Sequence, residues 1–150
     1  MDRFQMTEDL LTGISDIDDQ HRRLFELAQL TVEPDARREG DANFFKSVAF
    51  LSDYVHFHFA SEALAMKRTS FPDRAEHCRD HAIFVNRLAR IIESSLEAPS
   101  VLTLKTELTE LISGWLRDHI RVADKGLARY LKQCAGDSPA TLPDLSSEFT

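Results

Sequence analysis

Histidine and acidic residues recur at helical spacing in the middle of this chain. The segment HFASE places His58 four residues before Glu62, and the segment HCRDH places His77 four residues before His81. Residues that are four apart lie on the same face of a helix. The surrounding residues are largely apolar, so burying such a polar pair is costly unless solvent, another side chain or a metal ion satisfies it.

Seven side chains form the candidate site. They are spread over four predicted helices, and each helix contributes at least one side chain with a nitrogen or oxygen ligand atom. The seven residues are His21, His58, Glu62, His77, His81, His119 and Asp124. Imidazole suits zinc, copper, iron and nickel, whereas a carboxylate is a harder oxygen donor. A single structural zinc takes four ligands, often with thiolates. Seven ligands without cysteine therefore indicate two metal ions bridged by the carboxylates, and a pair of irons suits this mixed set best.

An alternative explanation needs no metal. A single histidine on an apolar face is usually a core residue that bonds to a carbonyl, and Glu62 and Asp124 could be ion-pair partners. For any one residue this explanation is favoured. For all seven together it leaves polar groups on four facing helices that would be hard to satisfy, so a metal centre is favoured.

The spacing leaves some details open. Five residues turn an ideal helix by about 140° beyond a full turn, so His119 and Asp124 do not share one face. Either Asp124 reaches across from a neighbouring face, or a π-bulge realigns the two residues. His56 lies about 160° around the helix from His58 and is interpreted as a non-ligand. Asp18 could cap the first helix or accept a hydrogen bond from a ligand imidazole, and capping is favoured.

Four helices joined by short breaks are predicted to carry these residues. Apolar residues recur at steps of three and four, and no stretch alternates with period two for long, so no sheet is expected. The breaks fall at residues 32–41, 69–73 and 95–100. The predicted inward faces are Leu24, Phe25, Leu27, Ala28 and Leu30; Phe44, Val48, Leu51, Val55, Phe59 and Glu62; His77, His81, Phe84, Leu88 and Ile92; and Leu104, Leu108, Leu111, Trp115, His119 and Val122.

These elements predict an all-α fold, an antiparallel up-and-down four-helix bundle with a di-iron centre in its core. The bundle is expected to cover residues 1–133, and residues 134–150 are expected to form a flexible C-terminal tail. A chain of 150 residues is long enough for one domain with its own core.

Composition narrows the choice of partners and compartment. The net charge of −7 argues against nucleic-acid binding, which needs a basic surface. No apolar run approaches the length of a membrane span, and the charged N-terminus does not resemble a secretory signal. Cys78 and Cys134 do not form a disulfide framework and are interpreted as reduced thiols, so we expect a cytoplasmic protein. A role for Cys78 as a metal ligand or reactive thiol is the less favoured alternative.

The chain resembles the hemerythrin family, most closely the single-domain bacteriohemerythrins. The resemblance rests on four segments: GISDIDDQHRRLF at 13–25, HFASE at 58–62, FPDRAEHCRDHAIF at 71–84 and WLRDHIRVAD at 115–124. It extends from about residue 13 to residue 131 and reproduces the family's order of histidines and acidic residues. The chain has Met6 where the family usually has a tryptophan, and Ala63 where an acidic residue often follows the ligand glutamate.

The resemblance implies an asymmetric pair of iron ions with an oxo or hydroxo bridge from solvent. His77, His81 and His119 would bind one iron, His21 and His58 the other, and Glu62 and Asp124 would bridge them. The iron with fewer ligands would bind dioxygen. Leu116 matches a family leucine near this open position, and Trp115 matches the tryptophan beside it. Judged from the sequence alone, Trp115 is better explained by core packing.

We therefore expect reversible dioxygen binding for carriage, storage or sensing, and no enzymatic activity. Carriage or storage is favoured because the chain shows no attached signalling domain. The alternatives are a di-iron oxidase, peroxidase or nitric-oxide-handling enzyme, and iron buffering. Ferritin-like enzymes and iron stores use glutamate-rich sets with Glu-x-x-His pairs, which this chain lacks. Dioxygen is the expected partner, with an oxygen-consuming enzyme or a reductase as further candidates, and the oligomeric state stays open.

Overall fold

The structure is a computed structural model that describes residues 3–33, 41–97 and 100–145. Helix α1 covers Ser15–Val32, α2 covers Asp41–Arg68 and α3 covers Arg74–Ser94. The fourth helix, α4, covers residues 101–135 and is described below in its segments. Short 3-10 turns at Glu8–Leu10 and Ser95–Glu97 precede α1 and follow α3. The described residues contain no strand, which confirms the prediction of an all-helical chain.

The helices form the predicted four-helix bundle. Each one packs against two neighbours, with α1 and α3 both lying between α2 and α4. The predicted breaks coincide with the observed helix ends, although residues 34–40 and 98–99 of two breaks lie outside the described residues. Among the described helices, none combines the length and the apolar character that crossing a bilayer requires.

Helix α4 changes its hydrogen-bonding pattern along its length. It is α-helical over Val101–Glu110, Arg117–His119 and Lys125–Ala135, and π-helical over Leu111–Leu116 and Ile120–Asp124. A π-helical turn closes with residues five apart rather than four apart. The second π segment therefore brings Asp124 onto the face of His119, which decides between the two explanations that the sequence left open.

Two apolar clusters fill the bundle, and the candidate site lies between them. The smaller cluster consists of Ile14, Ile17, Ala65, Met66, Leu127, Ala128 and Leu131. The larger one contains Leu24, Phe25, Val55, Phe59, Phe84, Leu88, Leu116 and Ile120, among others. Along α1, a residue of the smaller cluster comes before His21 and residues of the larger cluster come after it. The polar residues thus form one layer across the bundle, with apolar side chains on both sides.

Most predicted inward residues are buried or partly buried, but two are not. Leu30 is 45% exposed and Val122 is 74% exposed. Leu30 lies two residues from Ala28, which is about 200° around an α-helix and faces away from the core. Val122 lies within the π segment that follows His119, so counting three residues along an ideal α-helix placed it on the wrong face.

The end of α4 and the segment after it bear on the predicted domain boundary. Helix α4 continues to Ala135, two residues beyond that boundary. Ala140 and Leu142 are partly buried against the smaller apolar cluster. The backbone N–H of Leu142 also donates a hydrogen bond of 2.8 Å to the Asp16 carboxylate. The tail's flexibility stays a prediction, and residues 146–150 lie outside the described residues.

Candidate metal centre

The structure brings all seven predicted ligand residues together. Every one of them is buried, and their nitrogen and oxygen atoms form two groups whose members lie within 4.8 Å of one another. The first group, the three-histidine side, combines Glu62 and Asp124 with His77, His81 and His119. The second group, the two-histidine side, combines the same carboxylates with His21 and His58.

The carboxylates divide their oxygens between the two sides. Oε2 of Glu62 lies 3.1 Å from Nε2 of both His77 and His81, while Oε1 lies 3.2 Å from Nε2 of His58. Oδ1 of Asp124 lies 3.1 Å from Nε2 of His119, while Oδ2 lies 3.0 Å from Nε2 of His21. Each carboxylate is thus placed to bridge two neighbouring ions. The three-histidine side then has five donor atoms and the two-histidine side has four.

The spacing of these atoms fits metal coordination. Donors bound at about 2.1 Å and at right angles to each other are about 3.0 Å apart. Six nitrogen–oxygen pairs of the cluster are separated by 3.0–3.2 Å, and Nε2 of His21 lies 4.0 Å from Oε1 of Glu62. The chain's own side chains therefore outline two coordination spheres.

Unsatisfied polar atoms support the same conclusion. Among the described side chains, the buried nitrogen and oxygen atoms without a hydrogen-bond partner all belong to His21, His58, Glu62, His81, His119 and Asp124. Leaving a buried polar atom unpaired costs about 1–3 kcal/mol. Metal ions bound by the inward-facing atoms would remove most of this cost, so the residues fit a metal centre.

Aromatic side chains support the three-histidine side. The Phe59 ring stacks on His81 with centroids 3.8 Å apart, and the Trp115 ring stacks on His119 with centroids 4.9 Å apart. Trp115 also packs against Phe84, so its contacts agree with the core-packing explanation. Leu116 is fully buried in the larger apolar cluster.

A contact that the sequence did not reveal supports the two-histidine side. Nδ1 of His58 lies 2.7 Å from Oε1 of Gln20, which directly precedes His21. The two residues are 38 positions apart, so no local spacing rule could have found the pair. Only the position of a polar residue next to a candidate ligand hinted at it.

His56 and Asp18 lie close to candidate ligands in the sequence, and the predictions for these two residues have different outcomes. His56 is exposed, its Nδ1 lies 2.7 Å from the Ser52 carbonyl oxygen, and it is absent from both ligand groups, as predicted. Asp18 neither caps α1 nor contacts a ligand imidazole among its recorded hydrogen bonds. It lies inside the first turn, and its carboxylate accepts hydrogen bonds from the backbone N–H groups of Thr12 and Gly13. It therefore anchors the segment that leads into the helix.

The cysteines stand apart from the cluster. Cys78 is partly buried and Cys134 is exposed, and both are free thiols. Neither belongs to the groups of potential metal ligands that the described residues form. The alternative of Cys78 as a ligand thus gains no support.

Without a metal, the cluster shares protons between imidazoles and carboxylates. Burial acts most strongly on the Glu62 pKa and raises it, but His58 and His77 outweigh burial and hold this pKa well below its usual value. Burial likewise raises the Asp124 pKa, and His119 and other imidazoles reverse the effect. Burial lowers the His77 pKa, yet hydrogen bonds to Asp124 and Glu62 raise it to about 10. The metal-free site therefore favours ionised carboxylates beside a protonated His77.

The fold and the site define a class of protein, a four-helix bundle whose interior contains a buried cluster of histidines and carboxylates able to hold metal. Residues 12–131 match the family model described as Hemerythrin HHE cation binding domain. The chain belongs to the hemerythrin family, which confirms the resemblance noted from its motifs.

Relatives named Bacteriohemerythrin support this assignment. The protein from Stenotrophomonas maltophilia is 33% identical over 126 residues, which are 83% of this chain and 79% of the relative. The protein from Pseudomonas paraeruginosa is 32% identical over 79% of this chain and 75% of its own length. The protein from Methylococcus capsulatus is 27% identical over 76% of this chain and 85% of its own length. No solved structure gives a significant match.

Proposed function

We propose that the chain binds dioxygen reversibly at a non-haem di-iron centre. The donor asymmetry of the cluster carries this proposal, since five protein atoms face one ion and four face the other. His77, His81 and His119 would hold the first iron, His21 and His58 would hold the second, and Glu62 and Asp124 would bridge them, together with an oxo or hydroxo group from solvent. A pair of ferrous ions with one free coordination position supplies the chemistry for binding dioxygen.

The burial of the two sides supports the proposal. His21 and His58 on the donor-poor side are 0% exposed, whereas His77, His81 and His119 are 4%, 6% and 6% exposed. The free coordination position would thus lie on the drier side. Reversible binding requires that water, protons and anions stay away from the bound gas, and exclusion of water from a closed site has this effect.

Leu116 is the side chain that we propose to line this position. It lies three residues before His119 and belongs to the larger apolar cluster, together with Leu24 and Phe25. Its role would be to exclude water rather than to bind. Trp115 stacks on His119, so we assign it a supporting role on the three-histidine side, in contact with a ligand imidazole.

The same asymmetry favours a binding protein over an enzyme. The ligand set is rich in histidine and leaves one position free, and the described residues place no thiol in it. We infer carriage or storage of dioxygen in the cytoplasm as the role of the protein. A reductase or an oxygen-consuming enzyme would be its functional partner.

An optical experiment tests the proposed function. The iron-loaded chain is reduced under argon, exposed to air and then degassed, and its spectrum is recorded at each stage. A charge-transfer band that forms in air and disappears on degassing is expected. A band that never reverses, accompanied by release of hydrogen peroxide, would replace carriage with an oxidase activity. Absence of any band would overturn the proposal.

A further inference from the structure

The His58 ring has two nitrogen atoms that face different surroundings. Nε2 lies 3.2 Å from Oε1 of Glu62 and is one of the four donor atoms of the two-histidine side. Nδ1 lies on the opposite side of the ring, 2.7 Å from Oε1 of Gln20. His58 is fully buried, so in this structure Nδ1 meets the Gln20 oxygen rather than bulk water.

We propose that Gln20 is a positioning residue, which accepts a hydrogen bond from Nδ1–H of His58 and thereby keeps the Nε2 lone pair free for a metal ion. A neutral imidazole has one donor nitrogen and one acceptor nitrogen, so fixing the proton on Nδ1 decides where the lone pair lies. Metal-binding histidines commonly need such a partner on the nitrogen that does not bind the metal.

The orientation of the Gln20 amide follows from the same requirement. With its oxygen towards the ring, the amide accepts the Nδ1 proton and Nε2 can bind a cation. With its NH₂ group towards the ring, the amide would donate to Nδ1 and leave the ring proton on Nε2, where it would block the site. Only the first orientation agrees with the convergence of His58 and Glu62 on one ion.

Because Gln20 lies on α1, this helix contributes to the two-histidine side in two ways. This helix supplies His21 as one candidate ligand, and through the preceding residue it orients the ligand from α2. The two rings lie edge to face with centroids 4.8 Å apart. Both histidines of the donor-poor side thus depend on one turn of α1 and on its packing against α2.

The corresponding contact on the three-histidine side is looser. Oδ2 of Asp80 lies 3.8 Å from Nδ1 of His119, which is beyond hydrogen-bond distance. Stacking on Trp115 holds that ring instead. Gln20 differs from Asp80 in charge as well, because a neutral amide orients the imidazole without drawing its proton away.

Zinc titration of the full chain tests this inference, which rests on the proposed two-metal centre. Gln20→Met keeps the side-chain length but removes the acceptor, and Gln20→Glu keeps an acceptor. We expect Gln20→Met to weaken binding of the second zinc ion by about 10- to 100-fold, and Gln20→Glu to retain most of the affinity. Gln29→Met is the matched control on α1, because Gln29 hydrogen-bonds only to Glu33 among its recorded partners.

Zinc binding involves no dioxygen, so the titration tests the role of Gln20 separately from the proposed dioxygen binding. Unchanged zinc binding in Gln20→Met would overturn the role of Gln20 while leaving the metal centre intact. Equal weakening in Gln20→Met and Gln20→Glu would also overturn it, since packing rather than the acceptor would then be responsible. Wild-type protein that binds fewer than two zinc ions would overturn both proposals.

A second measurement requires no variant and decides the matter even if Gln20→Met fails to fold. Nitrogen-15 NMR of the zinc-loaded wild-type protein reports which imidazole nitrogen of His58 carries the proton. A slowly exchanging proton on Nδ1 is expected, because the Gln20 oxygen holds it in a buried hydrogen bond. A proton on Nε2, or an Nδ1 proton that exchanges as rapidly as that of exposed His56, would contradict the inference.

Discussion

The two sides of the candidate centre are built in different ways from the same two carboxylates. The three-histidine side draws on α3 and α4, has five donor atoms and is supported by the stacked rings of Phe59 and Trp115. The two-histidine side draws on α1 and α2, has four donor atoms and is supported by the hydrogen bond from His58 to Gln20. The side with fewer donors is also the more deeply buried one.

Under the proposed function, this difference would let one bundle combine firm metal retention with a free coordination position. The five donors of one side would satisfy an ion almost completely, while the more deeply buried other side would hold its ion with fewer contacts. Moving one histidine from the three-histidine side to the two-histidine side would reverse this division, because the first side would then have four donors and the second five. The following predictions test it, beginning with removal of both ions.

Removing the metal ions is expected to have the largest effect, because it leaves both sides unsatisfied. Binding at a free-ion concentration about 1,000 times Kd stabilises a folded protein by about 4 kcal/mol. For a chain of this size, that corresponds to a rise in Tm of roughly 8–16 °C. Circular dichroism melting of iron-loaded and chelator-treated protein measures the difference. Equal melting temperatures would show that no metal binds in the bundle interior.

Replacing one ligand should affect one side only. His58→Ala reduces the two-histidine side to three donors, so we expect it to lose one of the two irons and the dioxygen band. Elemental analysis and the optical experiment measure both effects. His56→Ala is the matched control, because this exposed side chain lies two residues away and outside the ligand groups. Iron loss in His56→Ala instead of His58→Ala would show that the assigned helix face is wrong.

Opening the two-histidine side to water should shorten the lifetime of the dioxygen complex more than it changes the iron content. Leu116→Ala removes a fully buried side chain and should cost about 2–5 kcal/mol of stability. The cavity would admit water near the free position, so we expect autoxidation to become several-fold faster at unchanged iron content.

Leu108→Ala is the control for that experiment. Leu108 is also fully buried in α4 and belongs to the same apolar cluster, two helical turns earlier. It should lower the Tm by a similar amount without changing autoxidation. Equal acceleration in both variants would mean that general loosening of the core, rather than a wall at the free position, controls the lifetime.

The sequence predicted two of the polar pairs that the structure brings together, because helical spacing determines which residues share a face. His58 and Glu62, and likewise His77 and His81, needed nothing more than the rule for residues four apart. The prediction of Val122 as an inward residue was wrong because the same rule was continued through a π segment. The π turn itself, which aligns Asp124 with His119, could be offered only as one of two explanations.

Contacts between distant segments were beyond such reasoning. The hydrogen bond between Gln20 and His58 depends on how α1 and α2 pack and on the rotamers of both side chains. The division of carboxylate oxygens between the two sides depends on the same packing. Periodicity predicts which face a residue occupies, but it does not predict which atom of a neighbouring helix it will meet.

The effect of pH offers the finest comparison between the metal-free and metal-loaded states. In the metal-free protein, the pKa of His77 is raised from 6.5 to about 10. Its contribution to stability is therefore complete below pH 6.5 and is lost as the pH rises towards 10. The Glu62 pKa is lowered well below 4.5, so its contribution is present above pH 4.5 and is lost as the pH falls. The metal-free protein is therefore expected to be most stable between pH 4.5 and pH 6.5, where both contributions are present.

The stabilisation that bound metal adds should increase as the pH rises, whereas the contribution of His77 in the metal-free protein decreases. Metal ions compete with protons for the imidazoles, so the stabilisation that they add should increase from pH 6 to pH 8 or so. Melting curves of both forms across this range measure the widening gap in Tm, and His56→Ala should reproduce the wild-type gap. A metal-free Tm that rises steadily above pH 6.5 would contradict the proton sharing between His77 and the bridging carboxylates.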